Sequence, residues 1–153
     1  MSKKIYLDYQ ATTPVSKEIL EKMIPYFSNN FGNPHSNNHE YGRSASEAVE
    51  EARENIASLI NANKEEIIFT SGATESNNTA IYSLCDLSRS RPEKQVIITA
   101  IEHKCIIEAA KHWTSVFGLD LKVLGVDTEG FIDFSQLTEL LKTPTLFCSI
   151  MAV

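Results

Sequence analysis

The sequence predicts an α/β fold, a mostly parallel sheet flanked by helices, with a helical N-terminal segment ahead of it. Three observations carry this. Beyond about residue 67, short β-branched runs alternate with stretches of helical periodicity, the pattern of strands joined by helical crossovers and buried on both faces. Before that point the apolar spacing is helical. The composition, 42% apolar and 22% charged over 153 residues, is that of a globular chain, and no apolar run reaches the length of a membrane span.

The elements follow in order. Residues 4–9 read as an extended start. Ser16 is placed to cap a helix whose Ile19, Leu20, Met23, Ile24 and Phe27 keep to one face, and Pro25 should kink or shorten it. Residues 28–42, SNNFGNPHSNNHEYG, are dense in Asn, Gly, Pro and Ser. They read as one long loop, of the kind that is functional or mobile. A second helix over 44–60 places Ala45, Ala48, Val49, Ala52, Ile56 and Leu59 toward the core. There follow a strand at 67–70, a helix at 74–87, a strand at 95–99, a helix at 103–117 and a strand at 121–126. A short helix begins after Asp133, with Gln136 spaced for a capping box. The apolar run 145–153 closes the chain as a fourth strand.

Charge and cysteine usage narrow the partners. The net charge of −6 comes from 20 acidic and 14 basic residues, and the basic ones form no stripe, which argues against nucleic acid and anionic membrane. Met-Ser-Lys-Lys leads into a strand rather than a signal-peptide core. Cys85, Cys105 and Cys148 show no metal-ligand spacing and suit a reducing compartment, so a cytoplasmic location is expected.

Two junctions carry candidate chemistry. At 67–76 a strand runs into Ser71-Gly72-Ala73-Thr74-Glu75-Ser76 and then a helix. Gly72 permits a tight turn, and the amides of Ala73 and Thr74 with the Thr74 hydroxyl would form a phosphate cup at the helix N-terminus. It is neither a P-loop nor a dinucleotide fingerprint, and on its own such a junction is more often an ordinary strand–helix turn. His103 follows the next strand at a similar place, where open α/β sheets bind ligands. Its imidazole could stack on a planar ring or shuttle a proton; it could as well cap its own helix. His35 and His39 lie four apart, but in a loop with no third ligand in reach, so no metal site is expected. Cys105, two residues after His103, invites a Cys–His reading, but on a helix such neighbours point apart, which favours a buried structural thiol. Lys104 is a poor candidate for binding a carbonyl, being on a solvated turn beside His103.

Taken together, IYLDYQATTP at 5–14, FGNPHS at 31–36, IIFTSGATESNN at 67–78, EHK at 102–104 and SIM at 149–151 resemble, in order and separation, the N-terminal part of a cysteine desulfurase of the iron–sulfur-cluster-assembly type. Gln10 resembles the mitochondrial and related bacterial branch. The resemblance spans essentially the whole chain. It implies a fold-type-I pyridoxal-phosphate (PLP) transferase large domain over 16–153, incomplete, with 1–15 as a small-domain segment. It also implies a homodimer, and transfer of sulfur from L-cysteine to an enzyme cysteine as a persulfide, leaving alanine.

By position, Ala73 and Thr74 would hold the cofactor phosphate and His103 would stack on its ring. Residues 8–13 and 33–36 would lie near the active-site mouth. The resemblance also implies that the Schiff-base lysine, the aspartate for the pyridine nitrogen, the arginine for the substrate carboxylate and the sulfur-accepting cysteine fall beyond residue 153. None of the three cysteines here takes that last role, and no catalytic residue is assigned. The isolated chain is expected to be inactive and to hold the cofactor weakly and without a covalent bond. It would then be a remnant, half of a split desulfurase completed by a C-terminal fragment, or a binding module for a full-length desulfurase or an iron–sulfur scaffold protein. A selenocysteine lyase or small aminotransferase is the rival within the fold, and the first motif and EHK favour the desulfurase.

Overall fold

The computed structural model describes residues 5–152; Lys4 of the expected extended start and Val153 of the closing run lie outside them. The chain divides into two compact units, Met1–Ile68 and Phe69–Val153.

The first unit is helical. Residues 5–8 have no strand partner, and a turn follows in which the Ala11 amide donates to the Asp8 carbonyl at 3.1 Å. Helix α1 (Lys17–Ser28) starts where expected, with the Ser16 hydroxyl accepting from the Ile19 amide at 3.4 Å. It is not cut at Pro25 but runs on to Ser28, the Pro25 carbonyl accepting from Asn29 at 2.8 Å.

Helix α2 (Glu40–Ile60) begins four residues before the expected start. His39 is its N-cap, Nδ1 accepting from the Gly42 amide at 3.1 Å. The loop packs tightly on this first turn. A Cβ on Gly42 would lie 1.9 Å from the Ser36 carbonyl oxygen, and one on Gly32 1.9 Å from that of Tyr41, so both positions exclude a side chain. Phe31 stacks on Tyr41 at 5.5 Å. Leu59 does not face a core: it is 85% exposed, and Ala45 and Ala57 are the buried side chains of α2. Asn61, at φ 54°, closes the helix in the left-handed conformation that Asn tolerates best after Gly.

The second unit is a three-stranded parallel sheet with helices. It comprises α3 (Ala73–Asp86), β1 (Gln95–Thr99), α4 (Lys104–Phe117), β2 (Asp120–Leu124), α5 (Phe134–Leu140) and β3 (Thr145–Ser149), in the strand order β2-β1-β3. β1 is buried along its whole length. Its Val96 and Ile98 pack with Ile81 and Cys85 of α3 and with Ala109 and Ala110 of α4. Gln95, on the other face, donates to the Leu140 carbonyl at 2.9 Å and to the Thr145 hydroxyl at 2.8 Å, anchoring α5 and β3.

Two expectations fail here. Residues 67–70 are not a strand. The backbone is extended at Ile67, but among the described residues no strand is assigned to pair with the segment, and Ile68 is 75% exposed. The described sheet therefore has three strands, not four. Gln136 does not complete a capping box either. Asp133 caps α5 through the amides of Ser135 and Gln136, but Gln136 Oε1 accepts from the Gly125 amide instead. Among the described residues no helix is long and apolar enough to cross a membrane.

Candidate functional site

The N-terminus of α3 is built open. Gly72 stands at φ 157° and ψ −177°, a corner of backbone space used almost only by Gly, and having no side chain it offers the helix no cap. The Ser76 amide makes the first intrahelical bond, to the Gly72 carbonyl at 3.1 Å. Among the described residues no protein acceptor meets the amides of Ala73, Thr74 and Glu75, nor does the Thr74 hydroxyl take part in a hydrogen bond.

Surrounding hydroxyls hold the turn in place. Thr70 Oγ1 and Ser76 Oγ lie 2.6 Å apart and each meets the Gly72 carbonyl at 3.2 Å. Glu75 folds back, its Oε2 accepting from the Ser71 hydroxyl and amide, both at 2.6 Å. The Ser71 hydroxyl, and then its amide, hold the Glu75 carboxyl below the ordinary carboxylate range. With its charge engaged at Ser71, the α3 N-terminus keeps free donors and the positive end of its helix dipole, the arrangement that binds a phosphate.

The end of β1 supplies the second part. After Thr99 the chain turns through Glu102 to His103, the N-cap of α4. Glu102 Oε1 accepts from Ser149 Oγ at 2.8 Å, and Thr99 Oγ1 accepts from the Met151 amide at 3.3 Å, so the ends of β1 and β3 are tied by polar groups. His103 Nδ1 accepts from the Cys105 amide at 3.1 Å and lies 3.0 Å from Cys105 Sγ. The capping alternative is thus realised. The expectation that His103 and Cys105 point apart fails, because His103, at φ −58° and ψ 144°, stands outside the helix and the helical spacing rule does not reach it. Cys105 is half-buried rather than buried as expected, and it also receives a bond from Asn77 Nδ2 at 3.1 Å.

Thr74 and His103 line one open cleft of about 390 Å3, with Asn78, Lys104, Cys105, Glu108, Ala109 and His112. Two of the three expected cofactor-binding side chains are therefore brought together, and Ala73 contributes its amide at the same helix end. The lining comes wholly from the second unit. Residues 8–13 and 33–36 belong to the first, where Asn33 and Ser36 serve a local turn: Asn33 Oδ1 accepts from His35 and the Asn33 carbonyl from Ser36, both at 3.0 Å. His39 is committed to capping α2, and among the described residues no three His, Cys, Asp or Glu side chains gather as a metal site.

Sequence reasoning missed Asn77, and the roles of Glu102 and Cys105. The EHK triplet marked Glu102 without its latch to Ser149. No local signal could pair Asn77 with Cys105, because the contact exists only once α3 lies against α4. The donor set fits a phosphorylated, planar cofactor: unpaired amides and a free hydroxyl for the phosphate, and an anchored imidazole on the same cleft.

Known proteins show the same arrangement of sequence and fold. Residues 5–153 match the family model described as aminotransferase class-V. The chain is similar to the cysteine desulfurase IscS of Rickettsia felis, at 46% identity over 97% of this chain and 36% of the relative. It is also similar to that of Rickettsia bellii, at 47% identity over the same shares. Among solved structures it resembles a NifS-like protein at 36% identity and a TM-score of 0.86, over 98% of this chain and 40% of that one. It likewise resembles DndA from Streptomyces lividans, at 38% identity and a TM-score of 0.77, over 97% and 41%. The chain spans little more than a third of the length of the curated relatives it matches.

Proposed function

This chain belongs to the aminotransferase class-V family, among relatives that are cysteine desulfurases, and we propose that it provides the phosphate-anchoring and ring-facing part of a PLP-dependent desulfurase site. The observation that carries this is the uncapped α3 N-terminus opening on the cleft that His103 also lines. In this reading the amides of Ala73 and Thr74 and the Thr74 hydroxyl bind the cofactor phosphate, and His103 lies against its ring. Pyridoxal phosphate, when bound, supplies the electron sink that lets bonds at the amino-acid α-carbon break.

The chain's own residues hold and orient. Gly72 lets the backbone approach the phosphate, Glu75 keeps its charge turned to Ser71, and the Glu102–Ser149 bond fixes the turn carrying His103. Breaking the carbon–sulfur bond of L-cysteine and receiving the sulfur need a nucleophilic thiol and a cofactor-binding lysine. We assign neither to this cleft: Lys104 lies at its exposed rim and Cys105 is tied to His103. The 153 residues alone therefore bind the cofactor weakly and reversibly, and desulfuration needs a complementary segment in cis or in trans. In the same reading, residues 1–15 serve a small domain and the working enzyme is a homodimer that supplies iron–sulfur cluster assembly.

Titration with pyridoxal phosphate, followed by its absorbance and by protein NMR, tests the site. Perturbation centred on Ala73, Thr74 and His103 is expected. Borohydride reduction of the mixture is expected to fix no pyridoxyl group on any one lysine; specific labelling of Lys104 would overturn the non-covalent reading.

A further inference from the structure

His103 carries more contacts than a cap requires. A backbone N–H can only donate, so the Cys105 amide, 3.1 Å away, requires Nδ1 to be an acceptor. Cys105 Sγ lies 3.0 Å from the same nitrogen. Asn77 Nδ2, which can also only donate, approaches that sulfur at 3.1 Å. With Nδ1 an acceptor, the thiol S–H is the group that donates across this contact, while the sulfur's lone pairs accept from Asn77. One chain of donors, from Asn77 through Cys105 to His103, runs between α3 and α4 in a single direction.

The geometry points to Cys105 and Asn77 as positioning residues for His103. They hold Nδ1 as an acceptor, which places the ring's N–H on Nε2, so that the ring meets a ligand in the cleft as a donor at Nε2. A thiolate–imidazolium pair is disfavoured by the same geometry, since a proton on Nδ1 would face the Cys105 amide proton. Cys105 is thus a tether for the ring, not a nucleophile. That the ring meets a cofactor rests on the function proposed above; its tautomer does not.

The test is a long-range 1H–15N correlation spectrum of the full 153-residue chain without cofactor, at about pH 8, where an ordinary imidazole is neutral. His103 is expected to show its proton on Nε2 and Nδ1 as acceptor. Cys105→Ala should raise the share of the Nδ1–H tautomer about threefold, the weight of one weak hydrogen bond. Cys105→Ser, which keeps a donor, should restore the wild-type pattern, and Asn77→Ala should give an intermediate shift. A proton found on Nδ1 in the wild-type chain would overturn the inference. So would a His103 spectrum in Asn77→Ala identical to that of wild type, a comparison that holds even if Cys105→Ala does not fold. Fast alkylation of Cys105 at about pH 6 would also overturn it, because that requires the ion pair. If the tautomer is as stated but pyridoxal phosphate leaves the His103 signals unmoved, the cofactor reading fails and the tether stands.

Discussion

Gly72 and Thr74 sit two residues apart and do different things, which substitution separates. Thr74→Val keeps the shape and removes a hydroxyl that makes no hydrogen bond among the described residues. Folding stability should hold while cofactor or inorganic phosphate binds roughly tenfold more weakly, the worth of a hydrogen bond to a charged group; calorimetric titration checks both. Gly72→Ala meets no atom within 4 Å, so its cost is backbone strain alone, about 1–3 kcal/mol, read from a urea denaturation midpoint. Ser71→Ala removes the larger of the two causes that depress the Glu75 carboxyl, so its NMR titration midpoint should rise toward the ordinary 4.5. A carboxyl depressed in the fold contributes stability that is in place above the ordinary value. It is lost as pH falls through the depressed one, and Ser71→Ala should shrink that acid-side loss. Cys85, with none of its surface exposed, has its thiol pushed up to about 11 by burial. The residues of this site were legible as motifs, but their bonds were not. His103 could be read as cap or ring partner, and the structure makes it the cap at a place where it also lines the cleft.

At the scale of elements, the sequence was read well wherever periodicity and partner agreed. β1 matches its expected span, α4 its expected end at Phe117, and α1 its Ser16 cap. The misreadings share a cause: a local pattern whose partner lies elsewhere. The β-branched run at 67–70 has strand propensity but no described strand beside it, and propensity without a ladder leaves only extended chain. The start of α2 was missed because histidine is outside the usual capping set, and its cap works only because the loop folds His39 over Gly42. That junction gives a further prediction. Gly42→Ala would drive a Cβ into the Ser36 carbonyl, backbone that has no side chain to move aside. It should destabilise the first unit by about 1–3 kcal/mol and speed hydrogen exchange in the first turn of α2.

At the scale of the whole molecule, apolar surface left in water governs behaviour. Along α1, Ile19, Leu20, Met23, Ile24 and Phe27 recur at helical spacing and are each 40–78% exposed, a stripe of the kind that marks an interaction face. Sedimentation of the purified chain should show association that rises with concentration and survives high salt. Ile24→Glu with Phe27→Lys should weaken it; a monodisperse wild-type monomer would count against this. The sheet carries a second consequence, one of time rather than energy. Gln95 pairs on one side with Asp120 and on the other with Thr145, twice as far along the chain. Closing the longer loop costs about 0.6 kcal/mol more, and everything that holds β3, including the Glu102–Ser149 bond at its far end, waits on it. A ribosome releasing this chain would therefore present β1, α4 and β2 as a nascent pair of strands before β3 exists. Pulse-labelled refolding should find the β1–β2 amides protected first and the β3 amides last.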